Sequence, residues 1–445
     1  MSSVLTWPFR AVKTFRHSIA FLPSQLALAY LLLGLAVVVP SLDAATLPDF
    51  LGWLKFKDQD TARTLLATLI AAMISLMVFS FSMVMTVLSQ AGGNFSHKLV
   101  FGLITERHHQ WVLGHYLGTI LFILILLIVP LNGEAPSLWR SMGIYLGVVM
   151  VIHCLGLFVY FIHNASQSVQ INAITAGLHR ETRLALERLE SQQRDARWRH
   201  RETPPEPGGT WHTIHSRRSG YIQNVKLEAL ADLAESIDAV IHLNFSLGDF
   251  TVEEFPLFKV EASRPPEESW CRDVLAQLAY VQGETVEDLY INGLTQLMEI
   301  AVKALSPGIN DPGTARLCIH QLTELLIRRL KLVPSNALTD EQGHIRVTWP
   351  IRPFETLLYR LFIPILHYGK DDVSIDLALL KALKTLSLYA KHRELEVIQA
   401  HADRVIATLR QLARDGLDHR FIDERLNSGE HRLQLPGTLA ATPPP

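Results

Sequence analysis

Thr64-Leu-Leu-Ala-Thr-Leu-Ile-Ala-Ala-Met-Ile-Ser-Leu-Met-Val-Phe-Ser-Phe-Ser-Met-Val-Met-Thr-Val-Leu88 is a run of 25 residues without a charge. A helix needs about 20 predominantly apolar residues to cross the hydrocarbon core of a bilayer. Unless it closes a barrel, a chain satisfies its own backbone hydrogen bonds there only as a helix. The stretch therefore reads as a membrane-spanning helix. Three others match it, at roughly 19–39, 112–130 and 142–162. The predicted fold class is mostly α: a four-span transmembrane helical bundle (19–162), then a cytoplasmic α-rich domain with a small β unit.

Composition agrees. Of 445 residues, 49% are apolar and only 19% charged, which leans toward membrane. The net charge of −2 gives no argument for nucleic acid as a partner. Cys154, Cys271 and Cys318 are odd in number and far apart, and the 19 histidines are scattered, so neither a disulfide framework nor a metal site is expected. No small-residue cleavage site follows the first apolar run, so it is read as an uncleaved span behind a short amphipathic lead (1–18).

An even number of spans places both ends on one side, and Lys and Arg choose the side. Arg10, Lys13 and Arg16 precede span one; Lys98 and Arg107 lie between spans two and three; seven arginines from Arg180 to Arg201 follow span four. Lys55, Lys57 and Arg63 in the first outer loop run mildly against this tally, but it still predicts cytoplasmic termini. Phe50, Trp53 and Phe56 suit the outer interface.

Span two carries a polar stripe. Ser75, Ser82, Thr86 and Ser89 recur at spacings of seven, four and three, which is one helical face. Such a stripe either packs helices together or lines a hydrophilic path. Spans three and four each hold a GxxxG, Gly114–Gly118 and Gly143–Gly147, suited to close helix approach toward other spans or another subunit. His115 and His153 are either packed or interfacial histidines, or members of a proton relay.

After span four the helical pattern continues as a predicted stalk (163–202), with arginines interleaved by Glu181, Glu187, Glu190 and Asp195. Pro204, Pro205, Pro207, Gly208 and Gly209 mark a linker (203–219). A small α/β unit (220–262) follows, in which Ile241, Leu243, Phe245 and Leu247 alternate with polar residues as in a half-buried strand. A helical domain (263–415) comes next, with helices expected near 267–281, 285–305, 312–332, 352–367, 372–391 and 393–414. The tail, 416–445, ends in Pro-Pro-Pro and is expected to be disordered.

Within the helical domain, Ala304-Leu-Ser-Pro-Gly-Ile-Asn-Asp-Pro-Gly-Thr-Ala315 stops one helix and starts another. Pro307 ends the first, Asp311 is a good N-cap, and Pro312 fits the first helical position. The polar residues Ser306, Asn310, Asp311 and Thr314 make this corner either a capped turn or a small site for an ion at a helix N-terminus.

Ala-Leu-Ser-Pro-Gly-Ile-Asn-Asp-Pro at 304–312, followed by Thr314-Ala315, resembles the signature of the bacterial predicted membrane proteins known as domain of unknown function 2254. Ser89-Gln-Ala-Gly-Gly-Asn-Phe-Ser96 and Ser219-Gly-Tyr-Ile-Gln223 resemble it too, with His97-Lys98 standing where Pro-Arg is expected. The resemblance spans about residues 20–415 and implies the architecture above and a bacterial inner-membrane home. It implies no established activity.

No nucleophile elbow, metal motif, paired carboxylates or phosphate-binding loop is visible, so no enzyme and no cofactor is expected. The expected partners are the lipid bilayer, further copies of the chain, and a small ion or other ligand. The function expected first is an oligomeric channel or transport protein, with the span-two hydroxyls lining a path gated by the cytoplasmic domain. The alternative is a non-transporting membrane sensor or scaffold.

Overall fold

The structure, a computed structural model, describes residues 21–42, 56, 58–94, 107–128, 138–168, 171–195, 198–201, 211–281, 290–332, 335–350 and 353–439. The chain divides into two units, Met1–Gln170 and Ile171–Pro445.

The first unit consists of α1 (Phe21–Leu42), α2 (Gln59–Asn94), α3 (Arg107–Ile128) and α4 (Leu138–Ser168). Their apolar windows, Phe21–Val39, Gln59–Thr86, His108–Ile128 and Arg140–Asn164, are long and apolar enough to cross a membrane. Asp58 caps α2 by accepting the Thr61 amide at 2.9 Å. The core holds Met73 of α2, Tyr116, Phe122 and Leu126 of α3, and Ile144 and Phe161 of α4. Both glycine pairs are used inside the chain. A Cβ on Gly114 would lie 2.6 Å from Leu26, and one on Gly118 would lie 2.7 Å from Tyr30, so α1 and α3 meet backbone to side chain. Gly143 faces Val37 of α1 in the same way. The buried Arg140 donates to the carbonyl of Leu126 in the last turn of α3, where helix carbonyls lack an internal partner. Residues 1–18 and 95–98 lie outside the described residues, so only Ser89–Asn94 of the Ser89–Ser96 motif is described, as the end of α2.

The second unit begins with α5 (Ile171–Asp195). The expected stalk is described through Ser168 as the end of α4 and from Ile171 as α5, and the apolar face of α5, with buried Leu178, Ala185 and Leu186, packs on α8 (Tyr290–Ala304) and α9 (Pro312–Lys331). An apolar stripe of that length needs a covering partner, and two helices more than a hundred residues onward supply it.

A mixed α/β layer follows. A six-stranded sheet has the order β1-β8-β9-β4-β6-β2. Its strands are β1 (Arg199–Arg201), β2 (Trp211–His215), β4 (Val240–Leu243), β6 (Pro256–Glu261), β8 (Ala337–Thr339) and β9 (Ile345–Thr348). Only β4 and β9 run parallel. β3 (Gly220–Val225), β5 (Phe250–Thr251) and β7 (Leu278–Val281) form a second, antiparallel sheet. α6 (Leu227–Ser236) lies against β4 and β9. Ile222, Leu230, Ile241, Leu257 and Phe258 are buried in this layer's core.

Three expectations are corrected here. The 203–219 segment is not all linker, because Trp211–His215 pairs with β6 in register from Trp211 opposite Glu261. The β unit is also larger than 220–262, because it recruits β1, β8 and β9 from distant sequence. The helix expected over 267–281 stops at α7 (Glu268–Ala276), and Leu278–Val281 turns into the β3 edge instead.

The remaining helices are α10 (Phe354–Tyr368), α11 (Val373–Tyr389), α12 (His392–Leu412) and α13 (Gly416–Asn427). The last corrects the expectation of a disordered tail. Asp415 caps α13 through the Leu417 and Asp418 amides, and Ile422, Leu426, Leu433 and Leu439 are buried. Lys384 of α11, 6% exposed, donates to the carbonyls of Arg425, Leu426 and Ser428 at 2.7–2.8 Å and so closes the C-terminal end of α13.

Candidate functional site

The span-two stripe is the most extended polar feature among the described residues of the first unit. Ser75, Ser82, Thr86 and Ser89 are all exposed, whereas Ala62, Leu66, Met73 and Ser80 on the opposite side of α2 are buried against the chain's other helices. At 100° per residue, Thr64, Thr68 and Ala71 continue the same outward face, and all three are exposed. Sequence reasoning had missed the two threonines, although their spacings of eleven and seven to Ser75 carry the signal. From Thr64 to Ser89 the face extends roughly 38 Å at 1.5 Å per residue, more than the hydrocarbon thickness of about 30 Å.

The hydroxyls have a common habit. Thr68 donates to the Thr64 carbonyl at 2.7 Å, Ser75 to Ala71 at 2.9 Å and Thr86 to Ser82 at 2.9 Å. A hydroxyl that spends its hydrogen on its own helix keeps its remaining lone pairs for an outside partner. The outward face therefore carries a row of acceptors, with exposed Val78 and Phe79 beside them. It does not glue α2 to α3 or α4, which meet α2 on its other side.

Deeper in the unit, the Tyr30 hydroxyl lies 2.6 Å from Nδ1 of His115. The Trp111 and His153 rings lie 4.3 and 5.4 Å from the His115 ring, and Thr119 bonds Cys154 at 3.3 Å. His115 is buried among these groups and is a packed histidine.

In the second unit, the α8–α9 corner is built from local bonds. Asn310 takes φ 48°, a left-handed conformation that asparagine tolerates. The Asp311 amide reaches back to the Ala304 carbonyl at 2.8 Å. One Asp311 carboxylate oxygen accepts the Thr314 amide at 3.1 Å and the other the Thr314 hydroxyl at 2.6 Å. Those two bonds hold the Asp311 carboxyl below its ordinary range. The Ser306 hydroxyl bonds the Lys303 carbonyl at 2.6 Å. The described bonds of Ser306, Asp311 and Thr314 are those of a helix stop and a helix cap.

The span-two hydroxyls and the corner lie in different units. No three His, Cys, Asp or Glu side chains converge as metal ligands among the described residues.

The chain was compared with known proteins. No solved structure matches it. An uncharacterized protein of Mycobacterium bovis is 24% identical over 391 residues, covering 86% of this chain and 74% of that protein. An uncharacterized protein of Mycobacterium tuberculosis matches with the same identity and coverage. The family profile described as predicted membrane protein (DUF2254) matches residues 16–385, which include all four apolar helices and the α8–α9 corner. With most of its length matched, the chain belongs to the DUF2254 family of predicted membrane proteins.

Proposed function

We propose that this protein is an oligomeric channel or transport protein of the bacterial inner membrane, with both termini cytoplasmic and no enzymatic step. The hydroxyl face of α2 lines the path, and the second unit controls it. One observation carries the reading: the longest polar face of the membrane unit points away from that unit's own core. Four helices enclose too little space for a path of their own. Copies related by closed symmetry bring their α2 faces around a common axis. Back-bonded hydroxyls there present oxygen lone pairs, which suit water or a cation better than an anion.

The alternative is a non-transporting anchor for a sensor or scaffold. The same back-bonding favours it, since a hydroxyl satisfied by its own helix is tolerated against lipid or a partner helix. Ser82→Leu separates the two. The variant is purified, its oligomeric mass measured, and ion flux recorded in liposomes on the same sample. Flux lost with the oligomer intact supports the path. An intact wild-type oligomer that passes no ion under varied ions, pH and tension refutes it.

A further inference from the structure

The second unit contains a groove of about 630 Å³ between α9, α11 and the α13 segment. Functional small-molecule sites fall in the range of roughly 300–1,000 Å³. Arg316 and His320, one turn apart on α9, face it together with Lys381 of α11. Arg316 is held by the Ser374 hydroxyl at 3.1 Å, so its guanidinium is positioned while most of its donors stay available. Three other lining charges already have partners. Lys384 spends its three donors on the α13 carbonyls, and Glu424 lies 3.7 Å from Arg425, which also covers the Phe421 ring. Two cations and a histidine therefore face one another, with Glu430 as the opposing acid in the facing wall.

We propose that this groove binds a phosphate-bearing small molecule of about nucleotide size, its phosphate seated between Arg316 and Lys381 with Ser374 and His320 beside it. A planar guanidinium with an ammonium matches a phosphate's geometry and charge, and a dianion relieves the mutual repulsion of the cations. Leu377 and Leu388 give the rest of the ligand an apolar wall, and Glu430 accepts from donor groups on it. Burial, then Lys381 and Arg316, keep the His320 imidazole below its ordinary range, so a bound dianion draws a proton onto it. The proposal rests on none of the properties of the spans. It gives a chemical class to the ligand through which the second unit would exert control.

The same phosphate chemistry is found in a free nucleotide and in a lipid headgroup, and the test separates them. Full-length protein in neutral detergent is titrated calorimetrically with ADP, inorganic phosphate and water-soluble dihexanoyl phosphatidic acid. Saturable binding is expected for at least one probe. It should weaken at least tenfold in Arg316→Gln/Lys381→Gln, weaken with added salt, and be accompanied by proton uptake near pH 6. ADP or phosphate binding assigns a soluble ligand; phosphatidic acid binding alone assigns a lipid headgroup. No saturable binding of any probe overturns the proposal, as does equal binding by the double variant. Lys381→Gln alone, at an exposed side chain, keeps the test valid if the double variant does not fold. Ser82→Leu protein should bind equally well, so failure of the groove is distinguishable from failure of the path.

Discussion

Replacing Asp376 by leucine should stabilise the second unit more at pH 8 than at pH 6.5. Asp376 is fully buried on α11, and neither carboxylate oxygen has a hydrogen-bond partner among the described residues. Burial, and then the nearby Asp372 charge, push its carboxyl from the ordinary 3.8 to about 8. Between those values the folded chain holds a proton that the unfolded chain has released, so stability falls as pH rises through that window. At about 1.4 kcal/mol per pH unit, the fall is of the order of 5 kcal/mol by pH 8, with about 2 kcal/mol of it above pH 6.5. The lower part of the window is shared. His200, His242, His320, His401 and His431 are held below their ordinary range, chiefly by burial. Their contribution is lost as pH falls below about 6.5, opposite in sign to that of Asp376, and is constant above it. Urea unfolding of the full-length protein in detergent, followed by fluorescence that includes buried Trp198 and Trp270, reads the difference. Leucine is larger and adds a pH-independent packing cost, so the measured quantity is the change in the variant-minus-wild-type difference. It should grow by about 2 kcal/mol from pH 6.5 to pH 8. A constant difference across that window would mean that the carboxylate is compensated, and would refute the reasoning.

Other outcomes follow from particular contacts. Gly118→Leu should weaken the α1–α3 contact, since even its Cβ would sit 2.7 Å from Tyr30; the thermal transition of the purified protein should fall by several degrees while Gly156→Leu, where a Cβ meets nothing, leaves it unchanged. Asp311→Ala should cost about 1 kcal/mol, the worth of an N-cap, and Asn at that position should restore most of it; a loss of ion flux in the folded Ala variant would make the corner a site. Lys384→Met should strand three carbonyls at a cost of about 2 kcal/mol. Trypsin should then cleave sooner at Arg425 and Arg432 while α5–α11 remain protected, as mass spectrometry of the fragments would report.

The four spans were legible because a long uncharged run admits few folds. The stripe was legible because Ser75, Ser82 and Thr86 keep helical spacing, and the corner because Pro307, Asp311 and Pro312 are local signals. What faces the stripe was not legible: periodicity defines a face, but its direction depends on which side the neighbouring helices cover. The 416–439 segment misled because its partners are distant in sequence, as with the Lys384 bonds to the carbonyls of Arg425, Leu426 and Ser428. The groove was invisible for a similar reason. Arg316 and His320 stand more than sixty residues from Lys381, and only the packing of α9 on α11 brings them together.

The pairing of β1 with β8, with Arg199 opposite Thr339, also has a consequence for biosynthesis. The first strand of the second unit leaves the ribosome some 140 residues before its partner. At 5–20 residues per second that is an interval of roughly 7–28 s, during which its edge is unmatched. Three residues with arginine at both ends make a poor template for another chain. A short, charged opening strand thus protects the nascent chain while the helices and strands between are made, and the six-stranded sheet closes only once β9, which joins β8 to β4, has emerged through residue 348.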